Sequence, residues 1–208
     1  MLKLIGDVHG KFRRYREIIR DNPDTIQVGD LGVGFRKYAD GTPLRNPPYD
    51  AMVESRARFI RGNHDNPGVC AGHTQYIPDG TIEGPVMFIG GAYSIDSAWR
   101  LEDYSWWANE QLSYEELDDL VEKARVRRPE VLVTHDAPYD VVPLVFADKY
   151  VHKPNEPTRT GQAFERIRQL VRPRLWVFGH WHTSADVTID GTRFVCLAEL
   201  EYKEFEDV

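Results

Sequence analysis

The sequence predicts an α/β sandwich, and three observations carry that prediction. Short apolar segments alternate along the chain with stretches that place apolar residues at helical spacing. Several of these apolar segments end in Gly-Asp or Gly-Asn-His-Asp, which is typical of a strand that runs into a polar loop. Asp190-Gly191 stands between two apolar segments and indicates a hairpin, which requires antiparallel pairing. A mixed sheet is therefore favoured over an all-parallel one.

The predicted elements can be placed in order. Strands are predicted within 1–6, 25–30 and 56–65, and at 86–89, 131–134, 175–178, 185–189 and 192–197. Helices are predicted at 11–21, 113–126 and 161–171, and Ser113 with Glu116 forms a capping-box pattern at the start of the second helix. The final segment, "ELEYKEFEDV", is compatible with either a strand or an acidic tail.

Three long connections interrupt this alternation, at 34–50, 92–107 and 137–160. Long loops in a compact domain are usually functional or mobile, so we expect them to border the site. The aromatic residues of 92–107 could stack on bases, although packing of the loop onto the sheet is the stronger interpretation. With no linker or repeat, residues 1–208 are expected to form a single domain.

Composition limits the class of protein. The chain has 208 residues, of which 41% are hydrophobic and 28% charged, and no apolar run approaches a membrane span. Only two cysteines and no signal-peptide pattern are present, so a cytoplasmic protein is expected. The net charge of −7 argues against tight non-specific binding of duplex nucleic acid, while a local cationic cleft could still attract phosphate. The oligomeric state stays open.

Residues of the types that bind metals follow the predicted strands. They are Asp7, His9, Asp30, Asn63, His64, Asp65, His135, His180 and His182. In an α/β sheet, ligands bind outside the carboxyl ends of the strands. In an extended loop, residues i and i+2 point the same way, so Asp-x-His and His-x-His can grip one ion together. Without a thiolate, this donor set suits manganese, iron, zinc or nickel.

Five motifs in order, "GDVHG", "GD" at 29–30, "GNHD", "TH" at 134–135 and "GHWH", resemble the calcineurin-like metallophosphoesterase family. The resemblance implies two mixed β-sheets packed as a sandwich flanked by helices, with two divalent ions, manganese first among the choices. Carried over by position, one ion is held by Asp7, His9, Asp30 and His182. The other is held by Asp30, Asn63, His135 and His180, so Asp30 bridges both. Ions about 3.5–4 Å apart could bind a hydroxide for in-line attack on phosphorus.

Three further residues are assigned to catalysis. His64 is predicted to face the substrate as general acid, with Asp65 orienting its ring and favouring the protonated form. Asp65 could also be a helix N-cap. Arg61 matches the arginine that contacts phosphate in the protein-phosphatase branch of the family, with a surface salt bridge as the equal alternative. The second arginine of that branch is absent from "GDLGVGFRK".

The predicted function is metal-dependent hydrolysis of a phosphoester. Diesters of nucleotide or single-stranded nucleic-acid type are slightly favoured, because the second phosphatase arginine is missing and the aromatic loop offers a place for a nucleoside. The alternative is a phosphomonoesterase acting on nucleotides, small phosphates or phosphoproteins. A remote alternative is a non-catalytic interaction module, which would have lost some of the ligands.

Overall fold

Two mixed sheets form the centre of the molecule in the computed structural model, which describes residues 1–35, 46–149, 151–152, 154–206 and 208. The first has four strands in the order β10-β1-β2-β3, with β1 at Leu2–Ile5, β2 at Ile26–Gln27, β3 at Arg58–Phe59 and β10 at Tyr202–Phe205. Strands β1 to β3 are parallel, and β10 pairs with β1 in the antiparallel sense. The C-terminal segment thus contains a strand at Tyr202–Phe205.

The second sheet has six strands in the order β4-β5-β6-β7-β9-β8. In chain order these strands are β4 at Thr81–Glu83, β5 at Val86–Ile89, β6 at Val131–Thr134, β7 at Leu175–Phe178, β8 at Ala185–Ile189 and β9 at Thr192–Cys196. Strands β5, β6, β7 and β9 are parallel, whereas β4 and β8 pair as antiparallel edges. The predicted hairpin joins β8 to β9, and its turn has positive φ at Asp190 and Gly191, as a type I′ turn requires.

Helices cover both outer faces. They are α1 at Phe12–Asp21, α2 at Tyr49–Ser55, α3 at Pro67–Cys70, α4 at Tyr114–Arg127, α5 at Val142–Val145 and α6 at Arg159–Val171. The capping box before α4 is confirmed, since the Ser113 hydroxyl accepts from Glu116 N and Ser113 N donates to the Glu116 carboxylate. Helix α6 begins two residues before the predicted start because Thr158 caps it by accepting from Gly161 N.

Apolar side chains form three buried layers. Leu4 and Val133 belong to the layer between the sheets, whereas their chain neighbours Ile5 and Leu132 face the helices on opposite outer surfaces. This alternation is the two-residue period of a strand with both faces covered. The predicted sandwich of two mixed sheets flanked by helices is confirmed.

The long connections lie partly outside the described residues. Residues 36–45 of the loop 34–50 and residues 150 and 153 of the loop 137–160 are among those left out. The whole of 92–107 is described and contains a short 3₁₀ turn at Ser97–Trp99. Throughout the described part of the chain, no helix has the length and apolar character needed to cross a membrane.

Candidate metal centre

The carboxyl ends of strands from both sheets meet at one edge of the sandwich. Asp7 and His9 follow β1, Asp30 follows β2, Asn63 follows β3, His135 follows β6, and His180 and His182 follow β7. The parallel strands of the two sheets thus deliver all seven residues to the same place, as expected for ligands at the carboxyl ends of strands.

Within this edge the side chains form two groups. The outer group consists of Asp7, His9, Asp30 and His182, whose ligating atoms all lie within 4.8 Å of one another. The inner group contains Asp30, His135 and His180 under the same limit. Asn63 joins it, with Oδ1 at 3.1 Å from His135 Nε2 and 3.0 Å from His180 Nδ1. Asp30 belongs to both groups, in the arrangement that the family resemblance implies.

The backbone is left-handed at four of these residues. φ is 46° at His9, 60° at Asp30, 66° at His180 and 51° at His182. A non-glycine residue in this region costs about 1–2 kcal/mol, so four such residues at one site indicate a backbone held for function. The extended-loop interpretation of His-x-His was wrong, because His180 and His182 turn into different groups.

Two glycines allow the loops to approach this closely. A Cβ at Gly62 would overlap the carboxylate of Asp30, and one at Gly179 would overlap the carboxylate of Asp7. A side chain at either position would displace a buried carboxylate of the site. Glycine here is needed for close packing around the two groups.

Hydrogen bonds from outside the groups orient the inner residues. His135 Nδ1 lies 2.9 Å from the carbonyl of Val28 and must donate to it, which directs Nε2 towards Asp30 and Asn63. Asn63 Nδ2 donates to Ser94 Oγ at 2.9 Å, and Ser94 Oγ donates in turn to Glu110. This chain turns Asn63 Oδ1 inward. Such support is typical of metal ligands.

Charge at the site favours a cation. Burial opposes ionisation of Asp7 and Asp30, yet contacts with the histidines outweigh it and keep the pKa of both carboxyls below their usual range. Burial would lower the pKa of His135, but the carboxylates of Asp30 and Asp7 raise it to about 10. Two buried carboxylates with converging imidazole nitrogens and an amide oxygen fit divalent transition metals. The residues present therefore fit the implied ions.

His64 lies beside both groups and is held by three neighbours. Its backbone N donates to Asp30 Oδ1 at 2.7 Å, and its ring stacks on Phe35 with centroids 5.2 Å apart. Its Nε2 lies 2.6 Å from Arg100 Nη2, which can only donate. Burial, reinforced by the charge of Arg100, lowers the pKa of His64 to about 3. The ring is therefore neutral here, contrary to the predicted protonated form.

Asp65 does not orient the His64 ring. Its buried carboxylate accepts from four backbone N–H groups, those of Leu31, Gly32, Val33 and Gly62. It also does not cap α3, because the N-cap is Asn66, whose side chain accepts from Gly68 N and Val69 N. Asp65 fastens the loop after β2 to the loop after β3, and thereby holds Asp30 beside Asn63.

Arg61 is buried, with 3% of the residue exposed, and fits neither predicted role. Its Nε donates to Asp79 at 2.8 Å and its Nη1 to the carbonyl of Glu110 at 2.6 Å. The sequence alternatives were a phosphate contact and a surface salt bridge. The structure shows a buried ion pair that anchors the start of the segment carrying Asn63.

A cleft of about 400 Å³ opens onto both groups. Its walls include Asp30, His180 and His182, and the loop 92–107 contributes Tyr93 and Arg100. The aromatic residues of this loop divide: Trp107 is buried, as the packing interpretation predicts, whereas Trp99 is 89% exposed. Trp181, between the two histidines, packs its ring against Phe146.

Sequence reasoning missed several residues of the site. Arg100 lies outside the five motifs, and the structure shows it in contact with both Asp96 and His64. The sequence also gives no sign of Ser94, Glu110 or Phe35. A lone serine, glutamate or phenylalanine in an irregular loop carries no periodic or motif signal.

The fold and the two donor groups are those of metal-dependent phosphoester hydrolases. The chain belongs to the calcineurin-like phosphoesterase family, whose family model matches residues 2–184. No match is found among curated proteins.

Solved structures resemble this chain at low sequence identity. A putative 5'-nucleotidase from Staphylococcus aureus, in complex with alpha-ketoglutarate, matches with a TM-score of 0.56 and 13% identity over 95% of this chain and 48% of that chain. The anchor protein GAP50 of the Plasmodium inner membrane complex gives 0.51 and 10% over 95% and 71%. Phosphopantetheinyl hydrolase from Mycobacterium tuberculosis gives 0.48 and 13% over 95% and 89%. The chain spans about half the length of the nucleotidase.

Proposed function

We propose that the protein hydrolyses phosphoesters with two divalent ions bound at the candidate metal centre. One observation carries the proposal: two groups of ligating atoms share the buried carboxylate of Asp30 and border an open cleft. A non-catalytic module would not need every ligand in place, and all seven predicted ligands converge here.

Each group would hold one ion, and manganese is proposed first. Iron, zinc and nickel suit the same donors. When bound, a pair of such ions acidifies a water towards hydroxide near neutral pH and neutralises two oxygens of a phosphoryl group. The chain's own contribution is to hold the ligands rigidly, through Val28 on His135 and through Ser94 on Asn63.

His64 remains the candidate general acid, in a revised form. Its neutral ring accepts from Arg100 in this structure, so it must first take up a proton. An anionic phosphoester entering the cleft favours that protonation, because opposite charge raises the pKa of an imidazole. The protonated ring would then donate to the leaving oxygen. Loss of such an acid typically costs about 10²–10⁴ in rate.

The first of the two reasons for favouring diester substrates no longer holds. It rested on the missing second phosphatase arginine, and Arg100 now provides a guanidinium in the cleft. The second reason was a nucleoside platform, for which Tyr93 is placed in the cleft while Trp107 is buried. Nucleotides and single-stranded nucleic acid therefore stay in the proposed substrate panel without priority.

The test is turnover of p-nitrophenyl phosphate and bis-p-nitrophenyl phosphate by protein stripped with a chelator and reloaded with Mn²⁺, Fe²⁺, Zn²⁺ or Ni²⁺. Cyclic nucleotides and single-stranded DNA follow. We expect metal-dependent hydrolysis of at least one ester. Retention of full turnover after complete metal removal would contradict the proposal, as would inactivity with every metal and every substrate.

A further inference from the structure

Arg100 is fixed in the wall of the cleft by contacts from several sides. Its Nη2 donates to Asp96 Oδ1 at 2.8 Å and to His64 Nε2 at 2.6 Å. Its guanidinium carbon lies 6.0 Å from the centroid of the Phe35 ring. The Arg100 side chain is only 11% exposed. Its contacts with Asp96 in its own loop and with His64 beside the two groups of ligating residues fix its position.

The other terminal nitrogen of this guanidinium is unused. Arg100 Nη1 is buried and has no hydrogen-bond partner among the described residues. A buried charged donor is normally satisfied, because leaving it without an acceptor is unfavourable. Arg100 lines the same cleft as Asp30, Asn63 and His180. An unsatisfied cationic donor beside a phosphoesterase centre indicates a place for an anionic oxygen.

We propose that Arg100 Nη1 binds the third non-bridging oxygen of a terminal phosphate, and that the site therefore prefers phosphomonoesters. This inference rests on the proposed function. Two ions held by the inner and outer groups would engage two of the phosphoryl oxygens. In a monoester the third oxygen is free and charged, whereas in a diester that position carries a second ester group. A guanidinium matches phosphate oxygens in geometry and charge.

Arg61 cannot bind this phosphate oxygen. Its guanidinium is committed to Asp79 and to main-chain carbonyls, and it does not line the cleft. Arg100 lies in a loop outside the five motifs, so the phosphate-binding arginine of this chain comes from a different position than the sequence suggests.

The first experiment compares wild type, Arg100→Gln and Arg100→Lys, each loaded with Mn²⁺, on p-nitrophenyl phosphate and bis-p-nitrophenyl phosphate. Arg125→Gln is the matched control, because that exposed arginine of α4 pairs only with Glu122 in the same helix among the described residues. We expect Arg100→Gln to lower kcat/KM for the monoester by about 10²-fold and for the diester by no more than about fivefold, as for loss of one transition-state donor. Arg100→Lys should fall between, since it keeps the charge and loses the fork.

The second experiment measures binding of inorganic phosphate to the same Mn²⁺-loaded proteins by calorimetry, without turnover. Arg100→Gln should weaken phosphate binding at least about tenfold, with metal content and Tm equal to those of Arg125→Gln. Equal losses on both esters, or unchanged phosphate affinity, overturn the assignment of Arg100. If wild type hydrolyses no substrate of the panel with any of the four metals, the proposed function fails by itself, and calorimetry still decides whether Arg100 binds phosphate.

Discussion

The inner and outer groups of the candidate metal centre differ in how the protein supports them. In the inner group His135 is fully buried and Asn63 is 3% exposed, and both are fixed by the hydrogen bonds that they donate to Val28 O and Ser94 Oγ. In the outer group His182 has a side chain that is 49% exposed, and His9 one that is 17% exposed. Buried, oriented ligands lose little freedom on binding an ion. The inner position should therefore bind more tightly, and the outer position should exchange its ion more readily.

The largest effect should come from the residue that joins the groups. Asp30→Asn removes the carboxylate charge that both groups share, so we expect both ions to bind more weakly. Turnover should fall by about 10³-fold or more, since stabilisation of the transition state by metal ions is worth several kcal/mol. Metal analysis and steady-state kinetics measure this. Asp118→Asn, at an exposed carboxylate of α4, is the control and should behave as wild type. Full metal content and activity in Asp30→Asn would show that the groups are not joined through this residue.

His180 and His182 lie in one loop but belong to different groups, so substitutions there test the two groups directly. His180→Ala should lose the inner ion and fall by about 10²–10³-fold in turnover, while His182→Ala should keep it and lose about 10–10²-fold. Excess Mn²⁺ should restore His182→Ala far more than His180→Ala, because the His182 side chain is 49% exposed, whereas His180 belongs to the more buried inner group. Equal stoichiometry and equal rescue in the two variants would remove the distinction.

The hydrogen bond by which the loop 92–107 holds Asn63 can be removed without changing a ligating residue. Ser94→Ala deletes the acceptor of Asn63 Nδ2, so the amide can rotate and the inner ion should bind about 10–10²-fold more weakly. Competition with a chelator measures this affinity. Ser97→Ala, in the same loop, is the matched control. A loss confined to the outer ion would mean that Asn63 has been placed in the wrong group.

The smallest effect is expected at the rim. Glu199 Oε1 lies 4.0 Å from His9 Nε2 and its side chain is 31% exposed, so solvent screens the interaction. Glu199→Gln should weaken only the outer ion, by no more than about threefold. Chelator competition on both positions checks this, and an effect on the inner ion would contradict the separation of the two groups.

The sequence predicts the ligand positions because each follows a short buried strand and carries a motif. The strands themselves follow from apolar segments, and the α4 start follows from Ser113 and Glu116. The roles of Asp65 and Arg61 could not be predicted in this way. Asp65 ends a motif and Arg61 directly precedes the same motif, and only the fold shows that Asp65 accepts from backbone N–H groups and that Arg61 pairs with Asp79.

Arg100, Ser94 and Glu110 mark the limit of sequence reasoning at this site. They lie in or just after an irregular connection, where neither a two-residue nor a 3.6-residue period applies. Their importance depends on contacts with residues about 30 or more positions earlier in the chain, or with each other. Long-range contacts of this kind appear only once the two sheets are packed.

We infer that one carboxylate, Asp30, joins two metal positions of unequal burial. The most direct measurement is electron paramagnetic resonance of the protein during Mn²⁺ titration. We predict two ions per chain, the first bound more tightly, and a spin-coupled spectrum at saturation because bridged ions lie about 3.5–4 Å apart. A single ion per chain, or two ions with an uncoupled spectrum, would contradict it.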